Sequence, residues 1–169
     1  AVSALIESEA LESSAGASEA LERGAVYLLE ELPKVRRASG DALYNVWTHA
    51  YGIQAMVDLY HQSDASRQAE VIEVIRSQID RLERYASIDG GWGYYDFIAQ
   101  TQRPASSSIS FTTATCLIAL HEAEQLDGIT ISEKLVKRAV ASINRQRKPD
   151  QSFLYGEYLK ARPMYGINR

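Results

Sequence analysis

The chain has 169 residues, of which 46% are hydrophobic and 24% charged, with ten Gly, four Pro, and ten Tyr against three Phe. This is the make-up of one globular domain and excludes the collagen-like and disordered classes. A formal charge of −4 offers no basic field for nucleic acid or an anionic membrane, and the single Cys116 excludes an intrachain disulfide or a multi-cysteine zinc or iron–sulfur site.

No apolar run approaches the roughly 18 residues needed to span a bilayer, so no membrane span is expected. The first ten residues carry two glutamates and no basic stretch, which is not a signal-peptide pattern as it stands. Val2, Leu5, Ile6 and Leu11 form a weak amphipathic pattern that ends in a Ser, Ala and Gly run, so residues 1–17 read as a short lead-in helix and linker. Residues 18–169 read as a single domain. Ser18 is placed to cap a helix whose apolar positions Leu21, Ala25, Leu28, Leu29 and Leu32 recur at spacings of three and four, and Pro33 ends it. From about Ala42 to His61 a second helical pattern is apolar on nearly all sides, which predicts a buried inner helix.

The alternation then recurs. Ser66 to Ala86 pairs the stripe Val71, Ile72, Val74, Ile75, Ile79 and Leu82 with many charges, predicting a half-exposed outer helix, and an aromatic, glycine-rich loop follows from Asp89 to Phe97. Ser108 to Gln125 is again small and apolar, a second inner helix. Thr130 and Glu133 have capping-box spacing before a third outer helix with Leu135, Val136, Ala139, Val140 and Ile143 on its apolar side.

These pieces align with one another. The loop from Asp89 matches the stretch from Asp150 as acid, any, small, aromatic, any, Tyr, any, acid, aromatic, at an offset of 61, and the inner helices superpose Thr48 on Thr112 at an offset of 64. The expected architecture is therefore all-α, built from antiparallel helical hairpin repeats of about 60 residues. Three are expected, the third incomplete because the sequence given ends where its inner helix would begin. That predicts a piece of a longer polypeptide, whose remainder would be a partner.

The segment Ala139 to Ile143 with Gln146, Asp150, Ser152 and Phe153, the looser stretch from Leu82 to Trp92, and Gly24 to Leu29 resemble the QW-type repeats of the α/α-toroid superfamily. That superfamily includes the terpenoid (squalene) cyclases and the protein prenyltransferases. The resemblance implies a partial α/α toroid in which inner helices line a concave surface. It does not carry a catalytic residue across. The cyclases' Asp-x-Asp-Asp acid motif is missing, Cys116 lacks the Asp two residues earlier that the zinc-dependent branch requires, and the thioester sequence of the complement-like branch is absent.

Cys116 within an apolar helix reads as a core residue, and His61 and His121 as solvated helix-end residues. His49 stands out in its apolar helix, with Asn45 four residues earlier on the same face. Pointing inward, this strip would meet Thr112, Thr113 and Thr115, although a buried histidine satisfied by one hydrogen bond is the commoner arrangement. Gly90, Gly91 and Gly93 permit a tight turn that Trp92, Tyr94, Tyr95 and Phe97 cover, a staple between hairpins first and a ligand surface second. The candidate ligand-binding residues are thus His49, Asn45, Trp47, Tyr51, Trp92, Tyr94, Tyr95 and Asp96. No catalytic residue, cofactor or metal is assigned.

Two functions compete at this stage. One is a non-catalytic repeat domain that binds an apolar small molecule or a peptide in its concavity, or acts as a scaffold in a larger protein. The alternative is part of a terpenoid-cyclase-like or other toroid enzyme with an aromatic-lined pocket. An enzyme should bring ionisable groups, such as His49 and Asp96, together in a cleft.

Overall fold

The computed structural model describes residues 1–8, 11, 14–36, 45–94 and 107–156. Among these the regular elements are helices: α1 (Val2–Ile6), α2 (Ala15–Glu31) with a 3-10 turn at Leu32–Lys34, α3 (Asn45–His61), α4 (Ala65–Tyr85), α5 (Ser110–Glu124) and α6 (Glu133–Gln146). The protein is all-α over the described residues, joined by two isolated bridges, Ile109 to Gly156 and Arg147 to Phe153.

Helix α3 packs against α4, α5 and α1, while α6 packs against α5. Sequence character explains the arrangement. Helices apolar all round lose most by facing water, so α3 buries Val46, Ala50, Ile53 and Met56, and α5 buries Cys116, Ala119, Leu120 and Ala123. Helices α4 and α6 are one-sided. On α4 the buried stripe runs from Val71 to Leu82 while Glu73, Arg76 and Asp80 face solvent. Each such isoleucine contributes about 1.5 to 3 kcal/mol by leaving water.

Helix starts depart from expectation at two places. Helix α2 begins at Ala15, not after Ser18, because Ala17 and Ser18 already donate their amides to the Ser14 carbonyl. Helix α6 is capped by Ser132, whose hydroxyl accepts from the Leu135 amide at 3.3 Å, and not by Thr130. Ile131 is drawn into the core first, so the chain turns helical only after it. Asp64 caps α4 by accepting from the Arg67 amide at 3.0 Å.

The loops after α4 and α6 share one hydrogen-bond pattern. Ser87 donates its amide to the Gly91 carbonyl at 2.8 Å, and Lys148 to Ser152 at 2.7 Å; Gly90 donates to Ser87 and Gln151 to Lys148, both at 3.0 Å. Every partner is displaced by 61 positions. Helix α6 clamps the first of these loops: Arg138 donates to the Ile88 carbonyl at 2.7 Å and Arg145 to that of Asp89. A buried polar group completes the joint, with Ser108 and Ser142 hydroxyl to hydroxyl and the Gln146 amide donating to Ser108 at 3.3 Å.

Candidate ligand cavity

Thr48, Tyr51, Gly52 and Ala55 share one side of α3, with Gly52 and Ala55 leaving room on it. This side bounds an open cavity of about 800 Å³. Val2 of α1 and Gly24, Tyr27 and Leu28 of α2 form the opposite wall, with Leu32 beneath. Glycine sets the depth, since a Cβ on Gly52 would lie 2.8 Å from a Leu32 methyl and one on Gly24 would lie 2.9 Å from a Val2 methyl. Tyr27 and Tyr51 are exposed at its mouth.

Polar groups also line this cavity. Gln54 donates to a Glu122 carboxylate oxygen at 3.0 Å across the α3/α5 contact, and Asp58 and Glu7 also line the space. The cavity thus has a mostly apolar wall that also carries carboxylate acceptors, chemistry that suits an apolar body with a hydrogen-bond-donating group.

Of the residues singled out from sequence, Tyr51 lines this cavity. His49 does not. Its ring is wholly buried between α3 and α4, with Nδ1 and the Gln78 side-chain oxygen 2.7 Å apart and the Tyr85 ring centroid at 5.5 Å. Gln78 in turn donates to the Leu32 carbonyl at 3.2 Å. Gln78 was missed although a glutamine between Ile75 and Ile79 in a core stripe is a visible signal. Asn45 opens α3, and Tyr95 and Asp96 lie outside the described residues. The pairing of His49 with Asp96 therefore has no geometry to weigh.

Trp92 is fully buried beneath the turn. Its indole donates to the Leu82 carbonyl at 2.7 Å and its amide to the Thr113 hydroxyl at 2.9 Å. Trp47 and Tyr94 do come together, edge to face at 5.1 Å and 65°. Phe111 and Tyr155 extend that pair as a second one at 5.4 Å and 61°, and the two tyrosine hydroxyls touch. Phe111 and Tyr155 were not among the sequence candidates, yet the offsets of 64 and 61 map them onto Trp47 and Tyr94.

Cys116 is a free, buried thiol, and burial pushes its ionisation well above the ordinary range. His61 and His121 are exposed in the last turns of α3 and α5. Among the described residues no cluster of three or more His, Cys, Asp or Glu is set to hold a metal. No helix among them is long and apolar enough to cross a membrane.

Compared with known proteins, the chain matches no family model, no curated protein and no solved structure.

Proposed function

We propose that this chain is a non-catalytic α/α-repeat domain, an arc of a partial α/α toroid, that binds an apolar small molecule or peptide and serves as a scaffold within a larger polypeptide. The observation that carries the binding role is the cavity of about 800 Å³ on the open side of α3, walled by Val2, Leu28 and Leu32 and rimmed by Tyr27 and Tyr51. A void with apolar walls gains little from water and much from an apolar guest. The repeat reading is supported by the paired loop hydrogen bonds and the paired aromatic contacts, each displaced by about sixty residues.

The test is a fluorescence titration with N-phenyl-1-naphthylamine, a neutral apolar probe with one N–H donor. Saturable binding is expected, weakened roughly tenfold or more by Ala55→Trp, which places an indole in the cavity. Equal binding by the two proteins, with Ala55→Trp still folded, would remove the cavity from the proposal.

A further inference from the structure

Helix α5 stands to α3, and α6 to α4, at offsets of 64 and 61, but equivalent positions are covered differently. On α3, Ala50, Ile53 and Val57 are buried; their counterparts Ala114, Leu117 and His121 on α5 are half-buried or exposed. Gln54 of α3 meets Glu122, whereas its counterpart Ile118 is 52% exposed. The outer helices behave alike. Ile79 is 6% exposed and Val140 is 43% exposed. Trp92 is fully covered, and Phe153 is 46% exposed.

What covers the first set is visible. Thr113 of α5 bonds the Trp92 backbone, Glu122 meets Gln54 of α3, and Thr112 and Ala119, both wholly buried, share the Glu122 side of α5 by helical spacing. The second set, which no described residue covers, keeps its apolar character except at His121, and an apolar groove of about 260 Å³ opens there between Phe111, Ala114, Ile143 and Phe153. Apolar side chains at covered-type positions cost stability unless something covers them. The ring pairs say the same, because Phe111 packs on Trp47 at 5.7 Å while its own outer side carries no described aromatic beyond Tyr155.

We infer that the α5/α6 face is a docking surface for one further helix of the α5 kind, supplied by a partner polypeptide. The inference rests on the repeat reading above. The contact that α5 makes with α3 specifies the occupant's chemistry: an aromatic residue, small residues one and eight positions later, and an apolar residue eleven positions later. The last differs from α5, where that place is Glu122, because the facing residue is Ile118 and not Gln54. Small residues let the helix axes approach closely, and the aromatic residue extends the ring series past Phe111.

The probe is a fluorescent peptide of residues 108–125 carrying Cys116→Ser and Glu122→Leu, titrated into the full chain and followed by anisotropy. The expected result is saturable binding that weakens roughly tenfold or more in Ile118→Glu protein, persists in Ala55→Trp protein, and is lost when the peptide carries Ala119→Trp. Ile118→Glu changes an exposed side chain, so its thermal unfolding should match the parent. No binding at about 200 µM peptide, or equal binding to the Ile118→Glu protein, overturns the docking surface. Dimerisation of the chain that Ile118→Glu abolishes overturns the partner helix and puts a second copy on this face. The repeat reading has its own readout: photochemical oxidation should link Tyr94 to Tyr155, mapped by peptide mass spectrometry. Absence of that link sinks the repeat reading and the inference with it, whereas a present link with no peptide binding sinks the inference alone.

Discussion

Gly90 and Gln151 occupy the same step of two like turns, and both take left-handed backbone, at φ 92° and 72°. Only the first is glycine. A Cβ on Gly90 would stand 2.5 Å from the Arg138 carbonyl oxygen of α6, so that site needs glycine for space as well as for conformation. Gln151 is exposed and bears the conformational cost without that crowding, its side chain accepting only a solvent-exposed hydrogen bond from Arg147. Gln151→Gly should therefore stabilise the protein by up to about 1 kcal/mol, and Gly90→Ala should destabilise it by more than about 1 kcal/mol. Urea denaturation of the two variants checks both signs; a stabilising Gly90→Ala would show that the turn and α6 do not meet as described.

Trp92 joins burial to two hydrogen bonds, one from the indole to Leu82 and one from its amide to Thr113. Trp92→Ala should cost about 3 to 5 kcal/mol in thermal or denaturant unfolding. Trp92→Phe should cost less, since most of the ring volume survives, although the Leu82 carbonyl still loses its indole donor. A near-neutral Trp92→Ala would refute the role of the ring as a staple.

The His49 and Gln78 side chains meet in the α3/α4 contact, away from the cavity. His49→Ala should lower stability by about 1 to 3 kcal/mol, and a double-mutant cycle with Gln78→Ala should return a coupling of about 0.5 to 3 kcal/mol. Binding of N-phenyl-1-naphthylamine should be unchanged. Lost binding at parental stability would reverse the assignment and return His49 to a ligand site.

Burial keeps the Cys116 thiol neutral in the folded protein, while the unfolded chain ionises at about 8.5. The neutral thiol's contribution is then fully present below the unfolded value and declines as pH rises above it. Cys116→Ala should flatten the alkaline part of the stability profile between about pH 8 and 10. Native protein at pH 8 should leave a thiol-specific disulfide reagent unreacted until denaturant is added, and rapid labelling without denaturant would contradict a buried position.

Much of the helical layout was legible because α4 and α6 carry one apolar stripe each, and period alone fixes such a helix and its inner side. The candidate site was less so. Helix α3 is apolar nearly all round, so spacing could place Asn45 and His49 on one face without saying which way that face turns. It turns His49 toward Gln78, and Thr48 and Tyr51 toward the cavity. The cavity's far wall comes from α1 and α2, where Gly24 lets Val2 come close and Gly52 of α3 lets Leu32 come close, and neither approach is visible to periodicity. Phe111, Ile118 and Val140 show a further limit. Apolar residues on a helical period predict burial, but their cover depends on what stands beyond the helix.

Helix α6 holds the first loop by residues on a single helical phase. Arg138 and Arg145 reach the Ile88 and Asp89 carbonyls, while Ser142 and Gln146 engage Ser108. One residue inserted just after Arg138 would rotate the other three by about 100° about the axis. The joint would then keep its first grip and lose the rest. Changes in length are consequently tolerated poorly within α6, and equally in the short connection before it, where Leu126, Ile129 and Ile131 are held in the core.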